Sequence, residues 1–212
     1  MQQFSIIHVT DPRIRKQIRE ISGQQYVGAN GDLFVFIVDL YRNQQIRKQL
    51  GNDDGRLHTT DIFMQALEDT VLAVQNFLTA AESMGLGGVI LGSIKNNPAK
   101  LVKVLGLPKM TLPMLGIQVG VPDQKPQLKP RLPLQFTTFE NQYPHEFNVN
   151  DLQDYDSHVT RYYDLRDANR RIDSFTHQIN GAKLNNGDPD KRDEIGQVMR
   201  DQGLALDWDS KK

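Results

Sequence analysis

Ala-Ala-Glu-Ser-Met-Gly-Leu-Gly-Gly-Val-Ile-Leu-Gly-Ser-Ile-Lys-Asn-Asn, residues 80–97, is the stretch from which the fold is read. An amphipathic pattern ends at the glycines of positions 85, 87 and 88, a short apolar run follows, and Gly92 then stands beside Ser93. Gly85 suits the left-handed residue that closes a helix. Gly88–Leu91 reads as a strand, and its end would carry exposed backbone N–H groups against which a flat ligand can lie. The order is helix, glycines, strand. A dinucleotide fingerprint needs Gly-x-Gly-x-x-Gly between a strand and a helix, so a Rossmann site is not supported.

Working upstream, Thr60 opens a helix carrying Ile62, Phe63, Ala66, Leu67, Val71, Val74, Phe77, Leu78, Ala81 and Met84. That apolar set is wider than one stripe and predicts burial on two sides, as the central helix of a monomer or as one side of a dimer interface. Residues 43–58 are polar, with Gly51 and Gly55, and read as a mobile loop or frayed helix. Leu33–Val38, between Asp32 and Asp39, fits a strand covered on both faces. Ser5–Val9 reads as a first strand; Asp11 and Pro12 then start a helix through Ile14, Ile18 and Ile21 that stops near Gly23.

Downstream, Asn97 and Pro98 open a helix ending at Gly106, and Met114–Val119 is a further strand. Prolines 122, 126, 130 and 133 impose an extended loop, and Leu134–Phe139 alternates as an edge strand would. The tail is helical at 151–164 and 191–202, parted by an Asn-Gly-Asp-Pro turn at 186–189. Strands and helices mix without βαβα regularity, which gives an α+β class.

The 212 residues suit one domain. We divide them into a core at 1–150 and a helical C-terminal extension of the same domain at 151–212. No apolar run is long enough to span a membrane and no secretory signal is present, so a cytoplasmic protein is expected. Lys plus Arg (25) balances Asp plus Glu (26), which argues against nucleic acid as a partner. With no cysteine, any redox chemistry must be borrowed from a cofactor. His8, His58, His145, His158 and His177 lack metal-ligand spacing, so no metal site is expected. Ser83 and Ser93 lack the Gly-x-Ser-x-Gly elbow of serine hydrolases. No side chain stands out as a nucleophile or general base.

Two basic groups remain. Lys129 and Arg131 flank Pro130, and in an extended segment they point the same way, either into solvent or onto one phosphate. Arg166, Asn169, Arg170 and Arg171 follow a helix bearing Tyr155, Tyr162 and Tyr163, as a solvated helix end or as a clamp for an adenosine 2′-phosphate.

Taken in order, Asp69–Gly88, Gly92-Ser93-Ile94 with Asn96-Asn97, Leu112-Pro113 and Leu-Lys-Pro-Arg-Leu-Pro at 128–133 resemble the FMN-dependent NADPH nitroreductases and flavin reductases. The resemblance runs more faintly from Ser5 to Gly203. It implies a nitroreductase-like fold, a central, mostly antiparallel sheet flanked by helices, in a homodimer with two FMN sites at its interface. Gln24 matches a flavin-contacting glutamine. Ile90, Leu91, Gly92 and Ser93 match the segment along the isoalloxazine ring, Gly92 nearest N5 and Ser93 standing where near relatives have a second glycine. Lys129 and Arg131 match the FMN phosphate ligands. Arg166 and Arg171 match the arginines for the NADPH 2′-phosphate, with Arg170 an alternative to Arg171.

The implied reaction is ping-pong: NADPH reduces FMN, and a nitroaromatic, quinone or free flavin reoxidises it. Family members carry a His-Arg-Ser-x-Arg element ahead of the strand matched by Ser5–Val9. The pair Arg13 and Arg15 falls in the next helix and cannot replace it, so the sequence reads as lacking the family's N-terminal segment. At roughly 1.5–3 kcal/mol per charge-assisted bond, losing two or three costs on the order of 3–9 kcal/mol, or about two to six orders of magnitude in FMN affinity. The alternative expectation is therefore an inactive truncated relic or a flavin-sequestering dimeric module without turnover.

Overall fold

A computed structural model describes residues 1–166, 173–181, 184 and 191–208, the side chains of 163–166 excepted. It forms two compact units, 1–123 with 190–212, and 124–189.

The first unit is built on four antiparallel strands, β1 (Phe4–Val9), β2 (Asp32–Asp39), β3 (Gly87–Leu91) and β4 (Thr111–Gly120), in the order β1-β2-β4-β3. β2 is central and apolar throughout because both its faces are covered. Leu33, Val35 and Ile37 face helices α1 (Pro12–Ser22) and α4 (Pro98–Val104), packing with Ile18, Ile21, Leu91, Ile94 and Leu101. On the opposite face, Phe36 packs with Ile117, Val119 and residues of α3 (Thr60–Ser83). Lower on that face Val38 and Leu40 meet Ile62, Phe63, Ala66 and the C-terminal helix α7 (Ile195–Asp201) through Val198. A register shift between Phe36 and Ile37 lets β2 keep pairing with β4.

The helix signals behave as their chemistry predicts. The Asp11 side chain accepts from the Arg13 N–H at 2.7 Å, and Gly23 closes α1 at φ 68°. Gly85 sits at φ 77° after α3. The Asn97 side chain accepts from the Lys100 N–H at 3.0 Å to start α4.

One expectation fails, and two that left alternatives open are narrowed. Of the loop or frayed helix expected at 43–58, each holds in part: α2 spans Tyr41–Gln49, residues 50–55 form a loop, and a 3-10 turn follows at Arg56–His58. Only Gln44 of α2 is buried, so no apolar period announces it; Asp39 accepting from the Arg42 N–H and a run of good helix formers sustain it. Leu134–Phe139 is no edge strand: a 3-10 turn at Leu134–Phe136 starts from Pro133, and Phe136 packs against a helix instead of pairing. In α3 one side is buried within the chain while Met64, Val71 and Leu72 remain exposed, consistent with the second alternative, one side of a dimer interface.

The second unit contains α5 (Gln153–Arg166) and α6 (Phe175–Ile179). Leu152, Tyr155 and Val159 form its small core with Leu132, Phe136 and Phe175. The expected turn at 186–189 lies outside the described residues. Among the described residues, no helix is long and apolar enough to cross a membrane.

Candidate functional site

Gly85 and Gly92 differ in whether the fold explains them. Gly85 needs its positive φ. A Cβ on Gly88 would lie 2.4 Å from Leu78 Cδ1, the end of a flexible side chain that can turn aside, so packing disfavours a side chain there without forbidding it. Gly92 has φ −76° and ψ −25°, which any residue adopts, and a Cβ there would meet only Arg192 Nη2, at 3.6 Å. Its N–H has no hydrogen-bond partner among the described residues. Neither backbone nor packing explains this glycine; an open, unsatisfied N–H is what a planar ring would use.

Gln24, 69 residues earlier, reaches the same place: its Oε1 accepts from Ser93 Oγ at 3.1 Å and from the Tyr26 hydroxyl at 2.7 Å. Gln24 is set there by a pinned loop. Arg15 of α1 donates to the carbonyls of Gly28 at 2.9 Å and Gly31 at 2.6 Å, and Arg19 donates to that of Val27 at 2.9 Å. The Gln118 side chain of β4 accepts from the Gly28 N–H at 2.7 Å and donates to the Tyr26 carbonyl at 3.2 Å. Gly31, at φ 61°, allows the loop to pass Val119, whose carbonyl oxygen would be 2.4 Å from a Cβ.

Of the segment expected along the ring, Ile90 is exposed, whereas the Leu91 side chain is buried in the core beneath the sheet, leaving only its backbone for a ligand. Gly92 and Ser93 are half-buried at the strand end.

Lys129 and Arg131 belong to the second unit, in an exposed segment where Arg131 Nη1 donates to the Lys129 carbonyl at 3.1 Å. Pro130 between them accepts through its carbonyl from the Tyr155 hydroxyl at 3.2 Å, which ties the segment to α5. Arg166 is the last residue of α5, described by its backbone alone; Arg170 and Arg171 lie outside the described residues. A cavity of about 800 Å³ also lies in this unit, lined by Phe136, Phe139, Tyr143, Phe147 and Phe175 among others. None of the expected site residues whose side chains are described lines it.

One residue at the Gly92 turn was not foreseen. Arg192 Nη2 donates to the Gly92 carbonyl at 2.7 Å, and its Nε donates to Asn96 Oδ1 at 3.0 Å. Burial, with the nearby Arg192 charge adding to it, lowers the pKa of Lys95 from its ordinary 10.5. In sequence Arg192 is one cation within Lys-Arg-Asp-Glu and carries no signal of its own.

The family model described as "Nitroreductase family" matches residues 1–121, and that of the "Nitroreductase family, C-terminal domain" matches residues 129–207. The NADPH-flavin oxidoreductase of Vibrio harveyi is 35% identical over 206 residues, 97% of this chain and 82% of that protein. The FMN reductase (NADPH) of Bacillus subtilis is 40% identical over 185 residues, 84% of this chain and 74% of that protein. Among solved structures, the NfrA1 nitroreductase of B. subtilis superposes with a TM-score of 0.86 at 36% identity, covering 97% of this chain and 83% of that one. The NADPH:FMN oxidoreductase of V. harveyi complexed with NAD+ gives 0.83 at 34% identity, covering 97% and 82%.

Proposed function

Because the chain belongs to the nitroreductase family, we propose that it is an FMN-dependent NADPH oxidoreductase acting on nitroaromatics, quinones or free flavins. The observation that carries the reading is the Gln24–Ser93 hydrogen bond, which joins two remote family-matching segments beside the unpartnered N–H of Gly92.

The residues suit FMN. Gly92 leaves room for a ring edge to reach the backbone, and the Gln24 amide lies alongside. Lys129 and Arg131 supply the positive charge that a phosphate needs, Arg131 with paired donors. Arg166 and Arg171 are assigned to the NADPH 2′-phosphate. FMN held there would supply the redox chemistry between NADPH and the acceptor, so that the chain itself needs no nucleophile or general base. The protein's part is to bind, orient and leave one face open.

We assign the working form as a cytoplasmic homodimer. Met64, Val71 and Leu72 on the uncovered side of α3 are the apolar surface that supports an interface. The likeness to NADPH-dependent reductases along most of the chain favours turnover over a binding module.

Purified protein titrated with FMN is expected to show flavin absorption that shifts on binding, and to oxidise NADPH when given a nitroaromatic or a quinone. A protein that takes up no FMN overturns the assignment for this chain.

A further inference from the structure

Gly92 and Asn96 bracket a 3-10 turn at Ser93–Asn96, and Arg192 bonds to both ends of it from 100 and 96 residues away. The bonds continue into a closed circuit. Asn96 Nδ2 donates to the Ser22 carbonyl at 3.3 Å, Ser22 Oγ accepts from the Gln24 N–H at 3.1 Å, and Gln24 Oε1 accepts from Ser93 Oγ at 3.1 Å. Three remote segments are thereby joined, and Arg192 is the member whose planar fork spans two anchoring points.

We propose that Arg192 is a positioning residue for the Gly92–Ser93 peptide, which it holds so that the backbone N–H groups of this strand end face the flavin. The peptide is trans and planar, so its carbonyl and its N–H point in opposite directions. The Gly92 carbonyl accepts from Arg192 at 2.7 Å and, more weakly, from the Lys95 N–H at 3.2 Å; the Ser93 N–H is thereby directed away from the guanidinium, and donation by a cation polarises the peptide and strengthens that N–H as a donor. The second bond, to Asn96, stops the turn from rotating about the first. Because the turn is a single 3-10 element without helix-length cooperativity, its orientation depends on such outside anchors.

This inference rests on the flavin reading of the site, and the test separates the two. Amide hydrogen exchange is measured on the FMN-free protein, wild type, Arg192→Gln and Arg192→Lys, followed by FMN titration and flavin absorption spectra of each. Arg192→Gln is expected to raise exchange at residues 93–97 and at Gln24 by about tenfold, and to weaken FMN binding by a similar factor. The absorption bands of the bound flavin should shift as well, a change that lost stability alone would not produce. Arg192→Lys, which keeps the charge and a donor for the Gly92 carbonyl but cannot also reach Asn96, should recover part of both effects. If Arg192→Gln does not fold, Asn96→Ala removes one leg of the clamp with Arg192 in place and should give the smaller of the same changes.

Unchanged exchange in residues 93–97 overturns the proposal. So does faster exchange with unaltered FMN affinity and spectrum, since the turn would then be clamped without effect on the flavin. A wild type that binds no FMN, with exchange still raised in Arg192→Gln, overturns the flavin reading and with it the positioning role, leaving only the clamp.

Discussion

At the scale of residues, Gly92 offers a clean separation of fold from function. Its φ of −76° and the space around it admit a side chain, so Gly92→Ala should change stability by no more than about 0.5 kcal/mol in thermal unfolding. FMN affinity should nevertheless fall, because the new methyl would stand where the ring edge approaches; equal affinity in both proteins would remove Gly92 from the site. Gly31 is the opposite case. At φ 61° and against the Val119 carbonyl, Gly31→Ala should cost at least about 1–3 kcal/mol from backbone strain alone. Arg166→Ala is expected to raise the KM for NADPH several-fold while barely moving that for NADH. Parallel rises in both would detach Arg166 from the 2′-phosphate.

At the scale of elements, the start of α3 shows how the chain's end supports its centre. Thr59 gives no side-chain cap; instead Asp207 accepts from the Thr60 N–H at 2.6 Å and from its hydroxyl at 2.5 Å. The Thr60 hydroxyl, then its N–H, hold the Asp207 carboxyl below its ordinary 3.8. A carboxyl with a depressed folded pKa contributes stability that is complete above the unfolded value and disappears as pH falls through the folded one. Asp207→Ala should therefore lower the unfolding midpoint at neutral pH, with the gap to wild type closing below pH 3.8. A constant gap at every pH would mean that the charge of Asp207 is irrelevant. α2 makes the complementary point about legibility: its pattern is polar, so periodicity left loop and frayed helix both open, although the Asp39 cap and the helix formers Gln44, Gln45, Arg47 and Lys48 favour the helix.

At the scale of the whole molecule, the apolar surface left on α3 is the test of assembly. Leu72 is 68% exposed in the single chain, so Leu72→Glu should leave the monomer's fold intact. If that face is the interface, the same change should convert a dimer to a monomer in light scattering, and a dimer that persists would place the interface elsewhere.

By itself the sequence determined the four strands of the sheet, though it added a fifth at 134–139, and it determined most of the helices and the family, since alternation, helical period, caps and ordered motifs are written in neighbouring residues. It also pointed to Gln24, Gly92 and Ser93 as parts of one site. Only the tertiary structure decided which glycines the fold itself demands, that Leu91 turns inward, and that Arg192 meets the Gly92 carbonyl. Those are contacts between segments tens of residues apart, produced when the sheet and its helices close on one another, and no local pattern encodes them.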